Sequence, residues 1–257
     1  MQTKPVPGSL ADLHHRFRGD ASGLREMYRT LQTQCPVLHD QEAGCWLVLR
    51  CGDVGSVLTE PGTFAASRSG ASPMRSPGTL AGIVQRQFLF LDGEQHRALQ
   101  EVLRKPLGRM AGQLGPFLQE TISALTSRGR RDGRMDLVGG FAAPLSRRVI
   151  ARVLGMPVHD DELLARLERW SDAFADVTSG HLQTDLVGVL SLYDYFRGLT
   201  QEKRRRPTDD LLSLYVAACD EGLRDQEEVV SDAMMLFSAG RVTLRKLVPA
   251  VFWHLLR

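Results

Sequence analysis

Apolar positions recur at helical spacing along most of this chain, and at strand-like density only near its start. In residues 22–32, Leu24, Met27, Tyr28 and Leu31 fall on one face and predict a helix. Residues 46–50 form a short apolar run. The stretch before it offers a partner strand and a turn, so a hairpin is expected in a region of about 36–60. Asp53 is placed to cap a short helix through Leu58, which Pro61 and Gly62 end. Residues 67–90 are rich in Gly, Ser and Pro, with sparse apolar positions, and read as a long loop of the kind that is usually functional or mobile.

From residue 91 the pattern is helical. Leu99, Val102 and Leu103 mark one face, and Leu137, Phe141, Leu145, Val149 and Val153 recur at every fourth position. Residues 160–178 and 185–206 read as two further helices around a break at Gly180 and His181. A final helix opens at Asp225 with Glu228 three residues on, the spacing of a capping box. It continues through Val229, Ala233, Met234 and Phe237 towards Trp253, with a kink expected at Pro249. No Gly or Asn follows it, so the chain is expected to end inside an apolar helix. The fold class is mainly α with a small β-hairpin near the N-terminus, read as a single domain over 1–257 with the helical remainder at 91–257.

Composition changes this picture little. With 257 residues, 43% hydrophobic and 24% charged, the chain can bury a sizeable core, and disorder is not expected. A net charge of +2 gives no support for a nucleic-acid partner. No stretch approaches the ~18 apolar residues of a membrane span and the start lacks an apolar signal core, so no membrane association and a cytoplasmic location are expected. Cys35, Cys45, Cys51 and Cys219 show no CxxC pairing and no histidine at zinc-finger spacing, so no metal is expected; Cys45 and Cys51 read as buried free thiols. The run 203–206, Lys-Arg-Arg-Arg, reads as a solvated helix end, and His14 with His15 as surface.

Five stretches in order resemble the N-terminal half to two-thirds of a bacterial cytochrome P-450, a haem-thiolate monooxygenase. "WLVLRCGDVGSVLTEPGTFAAS" looks like the family's first-sheet strand and following helix, and "LDGEQHRALQEVLRKPL" like the start of its C helix. "DLVGGFAAPLSRRVIARVLGMP" is similar to the E-helix stretch, "PTDDLLSLYVAACDEG" to the segment before the long I helix, and "LFSAGRVTLRKL" to the I helix itself. The resemblance implies that His96 stands where the family's propionate-holding histidine does, but the position four later is Gln100, not arginine. A neutral amide cannot make the charge-assisted pair that suits Arg to carboxylates. Ala239, Gly240 and Thr243 match the I-helix pattern, while its acidic position, which helps deliver protons to bound oxygen, is Val242. None of the four cysteines matches the axial thiolate of the family.

These departures lead the sequence to read as a haem-free accessory protein, a pseudoenzyme that binds and supports a partner enzyme in natural-product biosynthesis. No cofactor is expected, and His96 would contact a haem only in the minority case that one binds. A homodimer or a partner enzyme is expected to cover the faces that the later part of the family's fold would cover. A haem-free, non-redox catalyst of cyclisation or rearrangement is the alternative, with Arg241, Thr243 and His96 as its polar groups. Phe88, Phe90, Phe237, Gly240 and Arg241 are then the candidates for lining a small-molecule cavity, although Phe88 and Phe90 read equally well as core. A fragment of a haem-dependent monooxygenase completed by another chain is the remaining alternative.

Overall fold

The computed structural model describes residues 19–42, 44–66, 82–84, 86–178 and 185–256. Most of the stretch read as a long loop, the break at Gly180 and His181, and the pair His14 and His15 lie outside them. The chain divides into two compact units, Met1–Arg75 and Ser76–Arg257.

In the first unit, helix α1 (Ala21–Gln34) starts where the Asp20 carboxylate accepts a hydrogen bond from the Gly23 amide at 2.9 Å. It buries Met27 and Leu31, with Leu49 packed against them. Strands β1 (Val37–Asp40) and β2 (Cys45–Val48) form an antiparallel ladder that pairs Val37 with Val48 and Asp40 with Cys45. The hairpin expected from the sequence is therefore present. Gln32 donates to the Leu49 carbonyl at 3.0 Å and Arg50 to the Gln32 carbonyl at 2.9 Å, tying the ribbon to α1.

Helix α2 (Cys51–Thr59) begins two residues before Asp53, which lies in its first turn instead of capping it. A carboxylate there still faces the positive end of the helix dipole. Cys45 is half-buried and Cys51 exposed, contrary to the expectation of buried thiols. An apolar run long enough for a strand does not say which of its positions a two-stranded ribbon leaves open.

The second unit is helical. A 3₁₀ turn (Phe88–Phe90) leads into α3 (Gly93–Gln113) and α4 (Gly115–Asp132). A π-helical turn (Val138–Ala142) runs directly into α5 (Ala143–Val153). Then come α6 (Asp161–Thr178), α7 (Leu186–Arg205), α8 (Leu211–Ala218), a second π-turn (Cys219–Leu223) and the thirty-residue α9 (Gln226–Leu255). The π-turn shifts the register of the every-fourth-residue pattern. Phe141 and Leu145 are buried as expected, but the buried face then passes to Ile150, Ala151 and Leu154, leaving Val149 and Val153 half-buried.

Helix α9 is the centre of this unit, packing against α5, α6, α7 and α8. It begins with the capping box legible in the sequence: the Glu228 amide donates to Asp225 at 2.8 Å, and the Asp225 amide to Glu228 at 2.8 Å. Its front half buries Val229, Val230, Ala233, Met234 and Phe237, and the Phe237 ring lies 5.7 Å from that of Phe196 on α7. At Gly240 the helix meets α5 so closely that a Cβ would stand 2.6 Å from Ile150 Cδ1. Helix α9 continues through Pro249 to Leu255. No helix among the described residues is long and apolar enough to cross a membrane.

The end of α7 corrects the expectation of a solvated cationic run. Lys203 is buried, and its ammonium donates to Asp210 at 2.7 Å, to the Gly155 carbonyl at 2.8 Å and to Thr208 at 2.9 Å. Asp210 also caps α8, accepting from the Ser213 amide at 2.8 Å. Arg204 forks onto Asp220, while Arg205 and Arg206 are exposed. A helix end reads as solvated only until another turn folds over it, and here the α7–α8 turn does so. Gly155, at φ +67°, passes so close that a Cβ would overlap the Asp210 carboxylate and the lysine ammonium. Lys203→Met strands Asp210 in the interior, and a loss of about 3–5 kcal/mol is expected, read as a lower urea midpoint at unchanged m-value.

Candidate functional site

The residues singled out in the sequence are spread over separate environments. Phe237 is fully buried against Phe196, and Gly240 lies against Ile150. His96 is half-buried on α3, with its Nε2 3.5 Å from the Gln100 amide nitrogen. Thr243 is exposed, and its hydroxyl donates back to the Ala239 carbonyl at 2.8 Å. Such back-bonding occupies the hydroxyl with its own helix. Phe88 and Phe90 are half-buried in the turn before α3.

Arg241 has no solvent exposure. Its guanidinium donates to Glu168 at 3.1 Å, to Ser171 at 3.2 Å and to Asp172, all on α6. Glu168 also accepts from Arg147 of α5 at 2.5 Å and from Arg245 at 3.3 Å. Ser171 in turn donates to Ser238 at 2.9 Å. One carboxylate thus binds arginines from two helices, and the charge of Arg241 is met by protein groups within the core. Acceptors still run short: the Nε atoms of Arg147 and Arg241 are buried without a partner.

A second polar cluster, not anticipated from the sequence, centres on Asp232 of α9. This fully buried carboxylate accepts from Tyr215 of α8 at 2.5 Å, from Arg224 at 3.1 Å and from the Phe88 amide at 2.5 Å. Burial raises the Asp232 carboxyl above the usual range, against the opposing pull of Arg224. Burial likewise pushes the Tyr215 phenol up. Ser231 donates to the Ile83 carbonyl, Arg224 to the Arg86 carbonyl, and Arg86 pairs with Asp225 at 3.1 Å. Together these contacts fasten Ile83, Arg86 and Phe88 to the first turns of α9 and the residues just before it. The signal in the sequence was an acidic residue, Asp232, inside an otherwise apolar helix face.

The second half of α9 and helix α6 border an open cleft of ≈ 630 Å³. Val138, Ala175, Val242 and Pro249 supply apolar wall, and Asp172, Asp176, Arg245 and Lys246 supply charge. Of the residues that matter to the family comparison, only Val242 lines it. Among the described residues no cluster of three or more His, Cys, Asp or Glu side chains could hold a metal ion.

Two features among the described residues disfavour a haem on this part of the fold. Gln100 offers an amide where a propionate needs a cation, and its side chain lies beside His96. Burial pushes the Cys219 thiol up to about 12, which keeps it protonated and opposes the thiolate form that ligates iron. Cys35, Cys45 and Cys51 sit in the hairpin unit.

The chain is 32% identical over 237 residues to the erythromycin C-12 hydroxylase of Saccharopolyspora erythraea, a match covering 87% of this chain and 55% of that protein. It is 28% identical over 234 residues to the nocardicin C N-oxygenase of Nocardia uniformis, covering 89% of this chain and 55% of that protein. Among solved structures it superposes on CalO2 with a TM-score of 0.73 at 25% identity, over 91% of this chain and 59% of that one. The testosterone complex of CYP109E1 from Bacillus megaterium gives a TM-score of 0.68 at 23% identity, a likeness of fold, over 89% of this chain and 58% of that one. No protein-family model matches the chain. A long central helix packed among shorter ones, preceded in the chain by a small hairpin unit, is thus the scaffold shared with these proteins. The chain belongs to the cytochrome P-450 family and corresponds to the N-terminal part of its fold. It spans about 55% of the length of the curated relatives it matches.

Because the Asp232 carboxyl is raised in the folded state, the native chain holds its proton to higher pH than the unfolded chain does. The stability contributed by that proton is present below the unfolded carboxylate pKa of about 4 and is lost as pH rises through the folded value. Urea midpoints followed upward from about pH 4 are expected to carry this downward component in the native sequence and to lack it in Asp232→Asn.

Proposed function

We propose that this chain is a haem-free, P-450-related accessory protein that acts by binding and supporting a partner enzyme in natural-product biosynthesis. The observation that carries the reading is the state of the I-helix region. Val242 stands at the proton-delivering position and lines a cleft, while the guanidinium of Arg241 is consumed by Glu168 and Asp172. Gln100 and the protonated Cys219 point the same way. These are internal features of the chain and do not depend on where it ends.

The partner half of the proposal is supported by the last turns of α9 and the residue after it. There Leu247, Val251, Trp253, Leu255 and Leu256 are between 46% and 77% exposed. Aromatic and aliphatic side chains clustered on one element are the usual centre of a protein interface. The natural-product setting is supported by relatives whose names specify erythromycin, nocardicin C and mycinamicin IV.

Two measurements test this. Purified after expression with ample haem precursor, the chain is expected to show no Soret absorption and no oxygenase turnover; a stoichiometric haem complex would overturn the haem-free reading. Co-expression with a biosynthetic enzyme encoded beside it is expected to raise that enzyme's soluble yield or turnover several-fold, and Trp253→Asp to remove the effect. Unchanged partner activity with and without the chain would remove the accessory role.

A further inference from the structure

The two helices that border the ≈ 630 Å³ cleft bring charges of opposite sign to it. Helix α6 contributes Asp172, Ala175 and Asp176, and α9 contributes Val242, Arg245, Lys246 and Pro249. One wall is therefore acidic and the other basic, two charges against two, with apolar residues on both. Folding accounts for only half of these charges. Asp172 binds the buried Arg241, and Arg245 reaches Glu168 at 3.3 Å, yet their side chains stay 53% and 40% exposed. Asp176 and Lys246 are exposed and make no ion pair among the described residues, with each other or with any other group. Asp176 also stands four residues after Asp172, a like-charge spacing that weakens a helix.

From these opposed walls we infer that the cleft binds a small zwitterion of the amino-acid class. Its ammonium lies on the α6 side and donates to Asp176, and its carboxylate accepts from Lys246 and the exposed part of Arg245 on the α9 side. Its apolar body packs on Val138, Val242 and Pro249. A simple anion is attracted by one wall and repelled by the other, and a simple cation likewise, so a molecule carrying both charges gains where each of them alone cancels. The volume sits within the range of small-molecule sites, roughly 300–1,000 Å³, and above what one free amino acid fills, so a dipeptide-sized body suits it. Such binding goes beyond the accessory role and uses none of the exposed apolar side chains assigned to the partner.

An amide chemical-shift titration of the full chain tests this with leucylphenylalanine and two singly charged forms of it, one N-acetylated and one C-terminally amidated. The free dipeptide is expected to saturate one-to-one with a Kd below ~1 mM, and each blocked form to bind at least about tenfold more weakly. Asp176→Asn and Lys246→Gln, both at exposed positions outside the arginine cluster, are each expected to weaken the free dipeptide about tenfold at an unchanged unfolding midpoint. Asp176→Asn is expected not to weaken the acetylated form, which has no ammonium to lose, nor Lys246→Gln the amidated form, which has no carboxylate. A blocked form binding as tightly as the free dipeptide, an unaltered affinity in either variant, or no saturation by the free dipeptide would overturn the zwitterion site.

Discussion

The burial of Arg241 is the constraint on which the helical unit depends. A guanidinium with no solvent exposure keeps its charge, so the surrounding elements must supply carboxylates at hydrogen-bond distance. Helix α6 supplies them from Glu168 and Asp172, and Glu168 draws in Arg147 of α5 and Arg245 as well. Three helices are thereby locked in one register by directional bonds, where apolar packing alone would tolerate a slide. Gly240, next in the chain, lets α5 approach α9 at that height. The two features are consistent: close backbone approach beside Gly240 brings the Arg147 side chain within reach of the carboxylate that Arg241 also needs.

Helix α9 is thus held along its length by three kinds of contact. Its start is fixed by the capping box and by the Asp232 cluster, beside which Ile83, Arg86 and Phe88 are held. Its middle is fixed by aromatic packing of Phe237 on Phe196 and by the arginine cluster. Its last turns leave apolar side chains exposed, although the Phe252 ring still meets Phe141 edge-on at 6.2 Å. Burial and open surface are therefore separated along one helix: the buried front half holds Ile83 and Phe88, and the rear half borders the cleft and exposes the apolar end.

The same helix shows how neighbouring positions on a family scaffold come to serve separate purposes. Gly240 and the Phe237–Phe196 pair set the packing of α9 against α5 and α7. The position after the glycine, Arg241, is turned into the core as a structural cation, and the next, Val242, faces the cleft. Thr243 follows on the exposed side with its hydroxyl returned to the backbone. Three successive residues point in three directions, as a helix of 3.6 residues per turn requires. A change at one of them can therefore alter stability, cleft charge or surface without touching the other two.

The sequence by itself determined the helices, the hairpin, the capping box at Asp225 and the family resemblance. Each of these is written in residues close together in the chain: a periodicity, a cap spacing or a short motif. Only the tertiary structure decided that Lys203 is interior, that Cys51 is exposed, that Arg241 is spent on Glu168 and Asp172, and that Asp232 gathers Tyr215, Arg224 and the Phe88 amide. Those outcomes join residues up to 144 positions apart. A charged side chain reads as solvated from its neighbours in sequence, and its true environment is set by which helix folds across it, a property of packing that no local pattern encodes.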